Sequence, residues 1–160
     1  MVFTASRIVS AFRTGIIATA ITAAAATAAE ASERLSTSNR SDQIVIRVDL
    51  SEQEMTVMQA GRRLYSWPVS TAKRGKITPT GTYQPQWFSR NHRSSLYNDA
   101  PMPFSIFYDG NYAIHGTYST GALGRPASNG CVRLHPENAR TLYEMVWAQG
   151  KQDTYIVVQN

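Results

Sequence analysis

The chain has 160 residues and a single cysteine, Cys131. One thiol excludes an internal disulfide, so the fold needs a conventional hydrophobic core and the thiol needs another explanation. No apolar run reaches the roughly 20 residues of a membrane-spanning helix. The basic residues are scattered, with no basic and aromatic stripe, which excludes nucleic acid as a partner. Metal-ligand spacing is also lacking. Cys131, His115 and His135 are the available donors, but the Cys-x-x-x-His step has no second motif, so neither a metal nor any other cofactor is expected. Internal repeats and heptads are absent. Ser70 to Lys73, "STAK", matches the Ser-x-x-Lys pattern of penicillin-binding proteins, but no Lys-Thr-Gly segment accompanies it and Ser70 ends a predicted strand.

The first 31 residues have a layout of their own. Arg7 and Arg13 precede an alanine-rich apolar run that starts at Gly15, and small-residue triplets close it at Ala26-Thr27-Ala28 and Ala29-Glu30-Ala31. This is the pattern of a secretory signal, with cleavage at about 28–31; uncleaved, it would be the only attachment to a membrane. Export changes the reading of Cys131. In an oxidising compartment an unpaired cysteine is either an intermolecular link or a reactive thiol. The net charge of +5 falls by about one when Arg7, Arg13 and Glu30 leave, and a basic exported protein suits an anionic envelope polymer.

Residues 32–42 are polar and aperiodic, a linker. From residue 43 to 160 the pattern is that of one mainly β domain. "QIVIRVDL", "EMTVMQA" and "RRLYSWPVS" read as successive strands of a meander. A long loop rich in glycine and proline leads to a short strand at Gly81 to Tyr83. "SRNHRSSLYNDAPMP" is loop-like, with a short helical turn as the alternative. "FSIFYDG" and "NYAIHG" form a hairpin about Asp109-Gly110-Asn111. After Cys131 the period becomes helical: Ala139, Leu142, Tyr143, Val146 and Trp147 mark a buried face, Pro136 suits the first turn and Gly150 the end. "DTYIVVQN" is a last strand.

Cys131 lies in "RPASNGCVRLHP", a polar, turn-rich setting unlike that of a structural cysteine. A thiol becomes a strong nucleophile only as it loses its proton, so a base beside it is the first requirement. His115 ends the strand "YAIHG", and the 16-residue interval to Cys131 is long enough to fold back. Gly116 then leaves room around the imidazole. His92, among arginines in a loop, is expected to be solvated, and His135 before Pro136 to cap the helix. Gly130 permits a backbone geometry that other residues resist, leaving consecutive amides free to face a developing oxyanion. Ser128 bonds within the turn or to the histidine. Arg133 holds the loop or a substrate carboxylate, or pairs with Glu137 at the surface. From the residues alone, the chain is an exported cysteine acyltransferase or hydrolase.

"IHGT" followed by "GRPASNGCVRLHP", together with "VDLSEQEMTV" and "YSWPVSTAKRGKITPTGTY", resembles the L,D-transpeptidase catalytic domain, the YkuD family of peptidoglycan cross-linking enzymes. The resemblance implies a β-rich fold with the cysteine in a groove, Cys131 as nucleophile, His115 as base, and the Gly130 and Cys131 amides as oxyanion donors. Ser128 and Arg133 would support the loop or orient substrate. Many members have Ser-His-Gly-Cys where this chain has Asn129, which can donate and accept hydrogen bonds but cannot handle a proton. The implied substrate is a tetrapeptide stem of peptidoglycan in the periplasm or cell envelope. The acyl acceptor would be a second stem's diaminopimelate amine, a lysine of an outer-membrane lipoprotein, or water, and carbapenems would acylate the same thiol. A hydrolase in the same fold and a non-catalytic wall-binding module are the alternatives.

Overall fold

The computed structural model describes residues 42–160. The predicted export signal and all of the predicted linker except Asp42 lie outside them. The first three strands, β1 (Ile44–Asp49), β2 (Glu54–Gln59) and β3 (Arg62–Pro68), form the expected antiparallel meander. Alternation does the sorting: Ile44, Ile46 and Val48 of β1 and Met55 and Val57 of β2 point inward and are buried, while their neighbours are not. β4 (Gly81–Tyr83) and the C-terminal β9 (Thr154–Gln159) complete this sheet in the order β3-β2-β1-β9-β4. β9 runs parallel to β1, pairing Ile46 with Ile156 and Val48 with Val158, so the last strand buries its apolar face beside the first.

The second sheet has the order β5-β6-β7-β8, with β5 at Trp87–Arg93, β6 at Pro101–Asp109, β7 at Tyr112–Gly116 and β8 at Val132–Leu134. The predicted hairpin is β6–β7. Ile106, Ile114, Val132 and Leu134 share one core cluster with the inward residues of the first sheet. The helix α1 (Pro136–Gln149) adds Ala139, Leu142, Tyr143 and Val146 to it and packs on β6 and β7. Each such fully buried aliphatic side chain contributes about 1.5–3 kcal/mol. His135 caps the helix, its ring accepting the Glu137 N–H at 3.4 Å, and Gly150 ends it at φ 95°. No helix among the described residues is long and apolar enough to cross a membrane.

Two expectations are corrected here. All of "SRNHR" is strand, not loop, as is the closing "PMP" at the start of β6: β5 is an edge strand paired only with β6, so Ser89, Arg90 and Asn91 need no apolar alternation, and the pairing itself sets the conformation. Trp147 does not join the core. It is 65% exposed, stacked on Tyr143 and edge-on to Phe88 at the rim of the helix.

Candidate active site

The two sides of the second sheet divide by strand parity. Even-numbered residues of β7 and β8 enter the core; odd-numbered ones face the opposite way. β7 and β8 are parallel and pair Ile114 with Val132 and His115 with Arg133. Extending that register one residue sets Cys131 beside Ala113, against which it packs. Cys131, Arg133 and His115 therefore share one side. Strands about 4.8 Å apart with a two-residue offset of about 6.6 Å put the Cα atoms of His115 and Cys131 on a diagonal of about 8 Å, within reach of side chains that lean toward each other. All three line one cavity of about 480 Å³, with Ser128, Asn129, Tyr97 and Tyr118 among its other walls.

Sequence reasoning missed what holds the cysteine loop. Ser70 and Arg133 exchange backbone hydrogen bonds in both directions, at 3.0 and 2.9 Å. The Thr71 carbonyl accepts from Ala127 N–H (2.9 Å) and Ser128 N–H (2.8 Å), and the Ser128 carbonyl accepts from Lys73 N–H at 3.0 Å. The Ser-x-x-Lys segment is thus a backbone clasp. Buried Gln53 anchors it, donating Nε2–H to Thr71 Oγ1 (2.6 Å) and accepting the Thr71 N–H (2.9 Å). Thr78 closes the other end, donating to the Gly130 carbonyl at 2.8 Å. Three buried polar side chains 53 to 78 residues from the cysteine in sequence carry no periodic signal; only their tertiary placement reveals the clasp.

Ser128 is fully buried and its Oγ accepts the Gly130 N–H at 3.0 Å, the turn-internal option, so that amide is engaged and not free as expected. Asn129 is half-buried on the cavity wall. Arg133 reaches back to the Ala127 carbonyl at 3.5 Å and makes no ion pair with Glu137 among the described residues. Gly116 serves a different purpose from the one expected: a Cβ there would meet Pro103 Cγ at 3.0 Å and Pro136 Cα at 3.2 Å, so the missing side chain admits two prolines rather than the imidazole. His92 is half-buried, edge-on to Trp87 and Phe107, because β5 turns it onto the sheet.

His115 is buried, and its Nδ1 lies 2.7 Å from the Gly116 carbonyl. A carbonyl only accepts, so Nδ1 carries the proton and Nε2 keeps its lone pair, ready to take one. Burial pulls the imidazole down to about 4, helped by the Arg133 charge and opposed by the Gly116 carbonyl. Burial pushes the Cys131 thiol up, opposed by the Ala113 N–H and by Arg133. The resting pair at neutral pH is therefore thiol and neutral imidazole, with the thiol directed at the Asn111 carbonyl (3.7 Å). A neutral imidazole with a free lone pair is the form that can accept a thiol proton.

This histidine also makes acid stability testable. The unfolded chain takes up the proton near 6.5 and the folded chain only near 4, so the contribution is complete above pH 6.5 and is lost as pH falls toward 4. A gap of about 2.5 units is worth roughly 3 kcal/mol. Urea midpoints at pH 7 and pH 4.5 should fall steeply in the wild type and clearly less in His115→Gln. Equal falls would assign the acid sensitivity elsewhere.

Residues 43–152 match the model of the L,D-transpeptidase catalytic domain, YkuD. A Bacillus subtilis protein named as an L,D-transpeptidase, YkuD, is 26% identical over 105 residues, covering 63% of this chain and 59% of its own length. An Escherichia coli protein named as an L,D-transpeptidase, ErfK/SrfK, is 32% identical over 97 residues, covering 55% of this chain and 31% of its own. The chain thus spans less than two thirds of either relative. A solved LD transpeptidase in complex with imipenem superposes with a TM-score of 0.66 at 21% identity, over 73% of this chain and 59% of its own.

Proposed function

Because the chain belongs to the L,D-transpeptidase catalytic-domain family, we propose that it is an exported enzyme that transfers acyl groups between peptidoglycan stem peptides through Cys131. The observation that carries this reading is the parallel register of β7 and β8, which sets Cys131 and His115 on one wall of one cavity. Sγ attacks the carbonyl joining diaminopimelate to the terminal D-alanine of a tetrapeptide stem. The thiol proton passes to His115 Nε2 as the S–C bond forms. The carbonyl oxygen becomes an anion held by the Cys131 N–H, joined by the Gly130 N–H once its bond to Ser128 Oγ opens. The adduct collapses, the C–N bond breaks, and His115 returns the proton to the departing D-alanine amine, leaving a thioester. Arg133, on the same wall, takes the D-alanine carboxylate.

A second amine then attacks the thioester and His115 accepts its proton. The new amide forms and the sulfur leaves as thiol. A diaminopimelate amine as acceptor yields a 3→3 cross-link, a lysine of an envelope lipoprotein yields a tether to the wall, and water yields the tripeptide. The first 31 residues support export to the periplasm or envelope. A carbapenem would acylate the same thiol, as the imipenem complex of a related fold suggests. The test is incubation with disaccharide-tetrapeptide containing meso-diaminopimelate, followed by mass spectrometry. Cross-linked dimer with loss of D-alanine is the expected product. Tripeptide alone would mark a hydrolase. Binding without turnover or carbapenem adduct would reduce the chain to a wall-binding module.

A further inference from the structure

The side of the second sheet that carries Cys131 continues beyond the cavity. Register aligns Trp87 with Phe107, Phe107 with Ala113, and Ala113 with Cys131, one row across all four strands. At its far end the Trp87 indole lies flat on the Phe107 ring, with centroids 3.6 Å apart and planes 5° from parallel. The His92 ring braces both edge-on, at 5.6 and 5.0 Å. Trp87 is nevertheless 42% exposed. His92 pairs with Met102, which lines the cavity, so the indole lies beyond the cavity wall, two side chains removed from it.

The geometry points to Trp87 as a stacking platform for a pyranose ring of the glycan strand that carries the donor stem. This rests on the stem-peptide reading above and extends it to the sugar. Three strand spacings put Trp87 about 14 Å from Cys131. The attacked carbonyl belongs to the third stem residue. Three extended residues span about 10–11 Å, and the γ-linkage of the second adds about 2.5 Å, so the sugar end of the stem falls at the indole. Chemistry agrees with length. A pyranose presents axial C–H groups on one side, which suit the negative π-face of indole. A ring already immobilised on Phe107 and His92 loses little entropy on binding.

The experiment compares kcat/KM for D-alanine release from disaccharide-tetrapeptide and from sugar-free tetrapeptide, using wild type, Trp87→Ala and Trp87→Phe. The preference for the sugar-bearing donor should fall roughly tenfold in Trp87→Ala, the scale of one lost aromatic contact, and recover largely in Trp87→Phe. Equal losses on both donors would make Trp87 a mere cover for Phe107, and an unchanged preference would also overturn the platform. Turnover of neither donor by wild type would sink the transpeptidase reading and leave the platform to a second measurement. In that case the stem-free disaccharide is titrated at millimolar concentration into ¹⁵N-labelled protein. The indole N–H signal identified by its disappearance in Trp87→Phe should shift, and a stationary signal overturns the platform.

Discussion

Cys131→Ala should release no detectable D-alanine from disaccharide-tetrapeptide, and His115→Gln should lower kcat/KM by about 10³-fold or more. The reason for the second loss is the protonation state of the pair. Burial raises the thiol and depresses the imidazole, so no standing thiolate exists at neutral pH to continue without the base. Glutamine cannot accept the proton, and the thiol must then ionise against its own burial. Nucleophile and base act on one proton, so the double variant should be no slower than Cys131→Ala alone. Release of D-alanine is followed by mass spectrometry, with circular dichroism confirming that each variant folds. His115→Gln within tenfold of wild type would remove the imidazole from the mechanism.

Gly130→Ala should destabilise the protein by roughly 2–4 kcal/mol and cut turnover by at least about 10²-fold. Gly130 sits at φ +137°, a region L side chains rarely adopt, and a Cβ there would lie 2.6 Å from Tyr112 Cε1 and 2.9 Å from the Ile77 carbonyl. One obstacle is a ring in the adjoining strand and the other is backbone, so neither yields cheaply. The loop must move instead, taking with it the adjacent Cys131 and breaking the Thr78 bond to the Gly130 carbonyl. Gly124 is the control. Its φ of +84° is equally foreign to alanine, but a Cβ there meets nothing within 4 Å. Gly124→Ala should cost only about 1–2 kcal/mol of backbone strain and leave turnover within about threefold of wild type. Urea denaturation and D-alanine release on both variants decide the matter; matching losses would mean that φ strain alone, not the crowding around Gly130, limits the loop.

Much of the fold was legible because it is local. Alternation in "QIVIRVDL" and "DTYIVVQN" marks half-buried strands whatever their partners, and the Pro136 to Gly150 span carries its own helix start and stop. The sequence also singled out Cys131, a lone cysteine after Ser-Asn-Gly, and the structure places it on the wall of the cavity. β5 was not legible, because an edge strand of "WFSRNHR" owes its conformation to β6 and not to its own pattern. Trp147 misled for the complementary reason: helical spacing sets the angular position of a residue, not how far the neighbouring sheet extends to cover it.

The sequence by itself determined the mainly β class, the hairpin and the helix with its caps, and it singled out one thiol and one strand-end histidine that share a cavity. Those features depend on period, on turn chemistry and on which side chains can move a proton. The tertiary structure alone decided that Gln53, Thr71 and Thr78 clasp the cysteine loop, that Gly116 makes room for two prolines, that His115 rests neutral, and that Trp87 lies in one row with Cys131. Each of those depends on strand register and on burial, which arise only when segments far apart in the chain pack together.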